Sequence, residues 1–286
     1  YKRQIVKPAV ALTANNEVNA LPDALKNKLI LGDSLEELRK LPDNSIDFSF
    51  ADPPYNLSKN YTGFTDDLVL AEYFDWCDQW LTELARVLKP GRTCAILNIP
   101  LYSIRHFMHL ETILNFQNWV VWDALSYPVR QLMPAHYSIL FFSKGVARPL
   151  PGLSSAADKN EAQSFLAPLG QGYCIRSQCI AKRKFSGNDR DPINDVWSDI
   201  HRLKHNTRRV DHPCQLPPQL MYRLISLLTL PGETVLDCFN GAGTTTLTAH
   251  QLGRRFIGIE KESTYHEITT ARHEEITLSL IHISEP

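Results

Sequence analysis

Two hydrophobic periods alternate along the chain, and that alternation constrains the fold more than any other feature. Short apolar, β-rich runs fall at 28–31, 46–51, 93–99, 119–125, 137–143, 234–239 and 256–260, with the length and composition of buried strands. Between them, residues 35–40, 71–88, 103–115, 218–228, 245–252 and 265–275 carry helical spacing. Within 71–88, for example, Phe74, Leu81, Leu84 and Leu88 form one stripe, as a helix with one buried face requires. The pattern predicts an α/β fold, a doubly wound, mostly parallel, seven-stranded Rossmann-like sheet covered on both faces. A chain of 286 residues, 43% hydrophobic and 21% charged, suits one large domain or one domain with an insertion. Its longest apolar runs, such as 138–142, fall far short of the roughly 20 residues that span a bilayer. No membrane partner is expected, and collagen, coiled coil and disordered tail are excluded.

The alternation stops between Gly145 and Asp211. This stretch holds Pro149, Pro151, Gly152, Pro168, Gly170 and Gly172, then the basic run Lys182-Arg183-Lys184. So long a structureless segment inside a compact domain is usually functional or flexible, and it reads as an insertion that carries recognition. Charge supports this. The formal net charge is only −1, yet residues 17–88 hold 6 basic and 14 acidic residues, whereas 173–211 hold 9 basic and 5 acidic. Clustered Lys and Arg are what phosphate neutralisation requires, although a solvated loop surface has the same composition.

The most specific motif is Asp52-Pro53-Pro54-Tyr55, directly after the strand at 46–51. In a doubly wound sheet, sites lie beyond the carboxyl ends of strands. Two prolines fix φ and remove two N–H donors, so the turn is stiff and its carbonyls stay available as acceptors. Asp52 adds an acceptor and Tyr55 an aromatic face. Together they suit an exocyclic NH₂ on a flat base.

The second motif is Asp237-Cys238-Phe239-Asn240-Gly241-Ala242-Gly243-Thr244, a strand, a Gly-x-Gly turn and a helix start. Glycines allow close backbone approach to a ligand. Thr246 stands where a dinucleotide fingerprint would have its third glycine, which argues against a nicotinamide dehydrogenase. The next strand ends in Glu260, about 20 residues on, where a ribose-hydroxyl acceptor would sit.

Both motifs together resemble the S-adenosylmethionine-dependent amino-methyltransferases of DNA. Asp52-Pro53-Pro54-Tyr55 is similar to their catalytic motif, and Phe239-Asn240-Gly241-Ala242-Gly243 to their cofactor motif. With the catalytic motif first, the order resembles the permuted β group. Leu31-Gly32-Asp33-Ser34 resembles the motif whose acid contacts the cofactor adenine. His212-Pro213-Cys214-Gln215-Leu216-Pro217 resembles the His-Pro-Thr-Gln-Lys-Pro motif, with Cys214 and Leu216 replacing Thr and Lys. Asn194-Asp195-Val196-Trp197 resembles the segment that closes the recognition region.

The resemblance implies S-adenosylmethionine as cofactor, held by Asp33, Asp237, Phe239, Asn240, Gly241, Gly243, Thr244, Glu260, His212 and Pro213. It implies double-stranded DNA as partner, with the target base flipped out and Tyr55 as its stacking platform. Phosphate contacts then fall to Lys182, Arg183, Lys184, Arg190, Arg202, Lys204, Arg208 and Arg209. Asp at the first motif position favours adenine N6 over cytosine N4. Members of this group often dimerise and often accompany a restriction enzyme. The division expected is an N-terminal extension (1–27), a catalytic half (28–144), a recognition insertion (145–211), a cofactor half (212–276) and a tail (277–286). The closing residues of that tail read as sequence read-through rather than native domain.

Alternatives remain. An RNA methyltransferase of the same fold would also use a basic insertion, a protein glutamine methylator would usually have Asn in place of Asp52, and a silent DNA-binding subunit would keep the fold without turnover. Cys174 and Cys179, with His201, His205, His212 and Cys214 downstream, lack the second tight pair of a structural zinc site, so no metal is expected. Cys77, Cys94 and Cys238 sit in apolar runs and read as core residues, and Trp122 and Trp197 as packing residues. Six cysteines and no secretory leader favour a reducing bacterial, archaeal or phage-infected cytoplasm. The chain opens on Tyr1 rather than Met, as a fragment would.

Overall fold

The computed structural model describes residues 17–57, 60–61, 64–65, 67–124, 135–151, 167–168, 178, 190–191, 194–200 and 215–284. One sheet organises them. Its strands are β1 (Lys28–Leu31), β2 (Ile46–Ala51), β5 (Leu88–Asn98), β6 (Asn115–Asp123), β7 (His136–Ser143), β10 (Val196–Trp197), β11 (Thr234–Asp237) and β12 (Arg255–Glu260), in the order β1-β12-β11-β2-β5-β7-β6-β10. Two short pairs lie outside it: β3 (Asn60–Tyr61) with β4 (Phe64–Thr65), and β8 (Ala167–Pro168) with β9 (Arg190–Asp191). Within the main sheet β7 runs antiparallel to both neighbours, and the other pairings are parallel.

The helices are α1 (Ser34–Lys40), α2 (Leu70–Val87), α3 (Pro100–Ile113), α4 (Pro218–Leu228), α5 (Thr244–Gln251) and α6 (Ser263–Ser284). Strand residues alternate between two cores, as a pleated sheet buried on both faces demands. Cys94, Ile96, Leu140, Phe142, Leu236, Ile257 and Ile259 join α1, α2 and α3. Phe48, Phe50, Ala95, Leu97, Ile139, Val235 and Phe256 join α4 and α5 on the other face.

Several boundaries differ from the sequence reading. The sheet has an eighth strand: Val196 and Trp197 pair with Val121 and Trp122, and the Asp195 carbonyl accepts from Val121 N at 2.7 Å. Two residues at an edge give no periodic signal. β5 begins at Leu88 because Lys89-Pro90-Gly91-Arg92 forms an irregularity, with Gly91 at φ 75°. α3 begins at Pro100, whose missing N–H costs nothing in a first turn. α6 continues past 275 to Ser284, since no Gly or Pro interrupts it before Pro286.

Cys77, Cys94 and Cys238 are buried free thiols. Trp122 and Trp197 are packing residues as read: both are buried, and Trp122 Nε1 donates to Ile200 O at 2.7 Å. Among the described residues, no helix is long and apolar enough to cross a membrane.

Candidate active site

Strand order brings together two motifs that lie about 185 residues apart. β11 pairs directly with β2, Asp237 opposite Phe50. From β2 the chain winds outward to β5, and from β11 it winds the other way to β12. The β2/β11 boundary is therefore a topological switch point, where open α/β sheets form their binding crevice. Four acids line the carboxyl edge there, in the order Asp33 after β1, Glu260 ending β12, Asp237 ending β11 and Asp52 after β2.

Asp52 is half-buried and Tyr55 buried. The Tyr55 hydroxyl donates to Asp52 Oδ1 at 2.6 Å, and the Tyr55 ring lies 6.2 Å from that of Tyr137 on β7. A burial this deep makes Tyr55 an orienting group for Asp52, a role that spacing alone does not reveal. Tyr73 of α2 donates its hydroxyl to Pro54 O at 2.7 Å.

The Phe239–Gly243 turn is held from three directions. At its start, Asp237 Oδ1 accepts from Phe239 N at 2.9 Å, while the Phe239 ring packs edge-on against Trp76 and Trp80. From β12, Glu260 Oε2 accepts from Gly241 N at 2.7 Å and Oε1 from Glu262 N at 2.8 Å. From α6, Thr269 donates to Gly241 O at 2.9 Å, and Arg272 donates to Ala242 O. Gly243 has φ 80°, and a Cβ there would fall 2.4 Å from Thr269 Cγ2. Gly258 makes room underneath: a Cβ would meet the Asn240 side chain at 2.7 Å. Asn240 Oδ1 in turn accepts from Thr246 at 3.1 Å. Thr244 is buried as the first residue of α5.

Burial pushes the Asp237 carboxyl up to about 7, with Asp52 and Glu260 adding to the rise, and burial also raises Glu260. Asp33 caps α1, its Oδ1 accepting from Leu35 N at 3.0 Å, and its Oδ2 meets Lys261 Nζ at 3.2 Å. Lys261, Thr269, Arg272 and Tyr73 were not singled out in the sequence. No motif marks them, because each acts through the backbone of another segment.

The donor set fits S-adenosylmethionine. Carboxylates on neighbouring strand ends can accept from ribose hydroxyls, an acidic edge suits a sulfonium cation, and the two glycines permit close approach. His212 and Pro213 lie outside the described residues, as do Lys182, Arg183, Lys184, Arg202, Lys204, Arg208, Arg209, Cys174 and Cys179. Of the expected phosphate-contacting residues, only the Arg190 backbone is described, in β9. Among the described residues, no group of three or more His, Cys, Asp or Glu could hold a metal ion.

A doubly wound sheet with one reversed strand, and an acidic glycine-turn cradle beside an Asp-Pro-Pro-Tyr corner, together define the methyltransferase class. The chain belongs to the DNA methylase family N6_N4_Mtase, whose model matches residues 46–271. It is 35% identical over 243 residues to the Type II methyltransferase M.BamHI of Bacillus amyloliquefaciens, covering 82% of this chain and 54% of that protein. The chain thus spans about half the length of that relative. It is 30% identical to the DNA adenine methyltransferase YhdJ of Escherichia coli (strain K12), covering 83% of this chain and 79% of YhdJ.

Solved structures agree on the fold. A DNA modification methylase of Thermus thermophilus, TTHA0409, superposes with TM-score 0.59 at 21% identity, covering 86% of this chain and 94% of its own. The PvuII DNA methyltransferase, described as cytosine-N4-specific, gives 0.57 at 21% identity, covering 86% of each chain.

Proposed function

We propose that this chain methylates the exocyclic amine of a base in duplex DNA, using S-adenosylmethionine, and that the base is adenine, at N6. The observation that carries this reading is the β2–β11 pairing, which sets Asp52-Pro53-Pro54-Tyr55 beside the glycine-turn cradle. Related proteins have been solved with S-adenosylmethionine, among them TTHA0409 and M1.HpyAVI.

When bound, S-adenosylmethionine supplies an electrophilic methyl group on a sulfonium sulfur. Asp33 and Glu260 hold its polar end, and the Phe239–Gly243 backbone fixes its approach. Asp52 and the Pro53 carbonyl accept hydrogen bonds from the target NH₂. These bonds draw the nitrogen lone pair out of the ring and stabilise the positive charge that grows there. As the N–C bond forms and the C–S bond breaks, a nitrogen proton becomes acidic and passes toward Asp52. The acid therefore need not be a strong base beforehand. Holding both reactants in line supplies much of the remaining acceleration. A base inside a duplex cannot reach this corner, so it must flip out, and phosphate contacts from the 182–209 basic residues would hold the duplex.

Two relatives carry Type II methyltransferase names, which supports a cognate restriction enzyme as a partner in cytoplasmic DNA modification. A homodimer is the assembly we expect. A second reading, cytosine N4, is favoured by the likeness to the PvuII enzyme and uses the same amine chemistry.

Nucleoside analysis after incubation with labelled S-adenosylmethionine, unmethylated DNA and structured RNA separates the cases. Label in N6-methyladenine supports the proposal. Label in N4-methylcytosine replaces the base, label in RNA alone replaces the substrate, and label in neither overturns the enzymatic reading.

A further inference from the structure

We propose that Tyr73 is a positioning residue for methyl transfer, its hydroxyl clamped on the Pro54 carbonyl so that the Pro53 carbonyl is held facing the substrate amine. The inference rests on the amino-methylation reading above and adds to it a side chain from a different element.

The argument begins with what proline removes. A peptide unit is usually oriented through its N–H and its C=O, but Pro53 and Pro54 have no N–H. Their rings fix φ and leave ψ to the surroundings. The Pro53 carbonyl must stay available to the substrate, so the Pro54 carbonyl is the next backbone group through which the protein can set the corner. Tyr73 donates to it at 2.7 Å. On the upstream side, Tyr55 donates to Asp52 Oδ1 at 2.6 Å. Two phenols thus bracket the two acceptors that the amine would meet.

Tyr73 is itself immobilised. It is 2% exposed, and its ring lies 5.6 Å from that of Tyr102 and 5.2 Å from that of Phe74. Asn98, at the end of β5 next to β2, also hydrogen-bonds to the Tyr73 side chain. Asn98 is fixed in turn, by Ile99 N at 2.8 Å and by His106 Nε2 at 3.0 Å. Burial keeps His106 neutral, its pKa lowered to about 4, and raises the Tyr73 phenol so that it stays a donor. A chain of four groups, His106–Asn98–Tyr73–Pro54, therefore runs from α3 to the catalytic corner. A hydroxyl in a fully buried cluster of Tyr73, Cys77 and Trp80 costs free energy unless it is bonded, and this one reaches the corner carbonyl.

The test is Tyr73→Phe, which keeps the ring and removes the donor. Because one neutral hydrogen bond is at stake, kcat for DNA methylation should fall about tenfold. The dissociation constant for S-adenosylmethionine, and KM for it, should stay within about twofold. Cys77→Ala is the control, since it perturbs the same packed face one turn away and leaves the hydroxyl in place. It should lower the melting temperature at least as much as Tyr73→Phe while keeping kcat. Unchanged kcat in Tyr73→Phe, or a loss of activity that only follows melting temperature in both variants, would overturn the proposal. A wild-type protein that binds the cofactor yet methylates neither DNA nor RNA would instead overturn the reading on which it rests.

Discussion

Asp237 ends β11 between two other acids, and burial lifts its carboxyl to about 7 with Asp52 and Glu260 contributing. A carboxyl raised in the folded state stabilises the fold fully below its ordinary value of 3.8, and that contribution disappears as pH rises through about 7. A bound sulfonium cation favours the ionised form, so the linkage for cofactor binding runs the other way. Affinity for S-adenosylmethionine should climb as pH rises toward about 7 and level off above it. Titration calorimetry across that range checks this. Asp237→Asn should flatten the slope, and an unaltered slope in that variant would assign the pH dependence to another group. The site residues themselves were legible where a motif displays them: Asp52 to Tyr55, and Asp237 to Thr244. Tyr55 was readable as an aromatic at the corner, but its bond to Asp52 depends on a rotamer that only the fold sets.

At the scale of elements, α6 secures the cofactor turn. Thr269 holds the Gly241 carbonyl at 2.9 Å and packs on Gly243, Arg272 holds the Ala242 carbonyl, and His273 reaches Thr246 at 3.1 Å. Thr269→Val keeps the shape and removes one hydrogen bond, of about 1 kcal/mol. Cofactor affinity should drop about fivefold, with methylation at saturating cofactor retained. Gly243→Ala should do more, because φ 80° strains any other residue and the new Cβ would strike Thr269. If Thr269→Val instead lowered kcat alone, α6 would belong to the chemistry rather than to cofactor binding. Helical periodicity placed α6 in the sequence, but not its reach over the turn. Its partners lie some 28 residues upstream, and their carbonyls leave no side-chain signature.

For the whole molecule, the seven expected strands fall where two hydrophobic periods alternate, since burial on both faces leaves that record in sequence. The eighth strand does not, because two edge residues carry no period. The adjacency of β2 and β11 was available only through the resemblance, as strand order is a property of crossovers rather than of local pattern. That adjacency implies a division of labour: Glu260 on β12 holds the cofactor, and Asp52 after β2 serves the transfer. The most direct test measures S-adenosylmethionine affinity and methyl transfer to DNA in parallel for Glu260→Ala and Asp52→Ala. Glu260→Ala should weaken cofactor binding about tenfold or more. Asp52→Ala should leave cofactor binding within about threefold while transfer falls by roughly 10² or more. Full transfer activity in Asp52→Ala, or unaltered cofactor affinity in Glu260→Ala, would contradict the division.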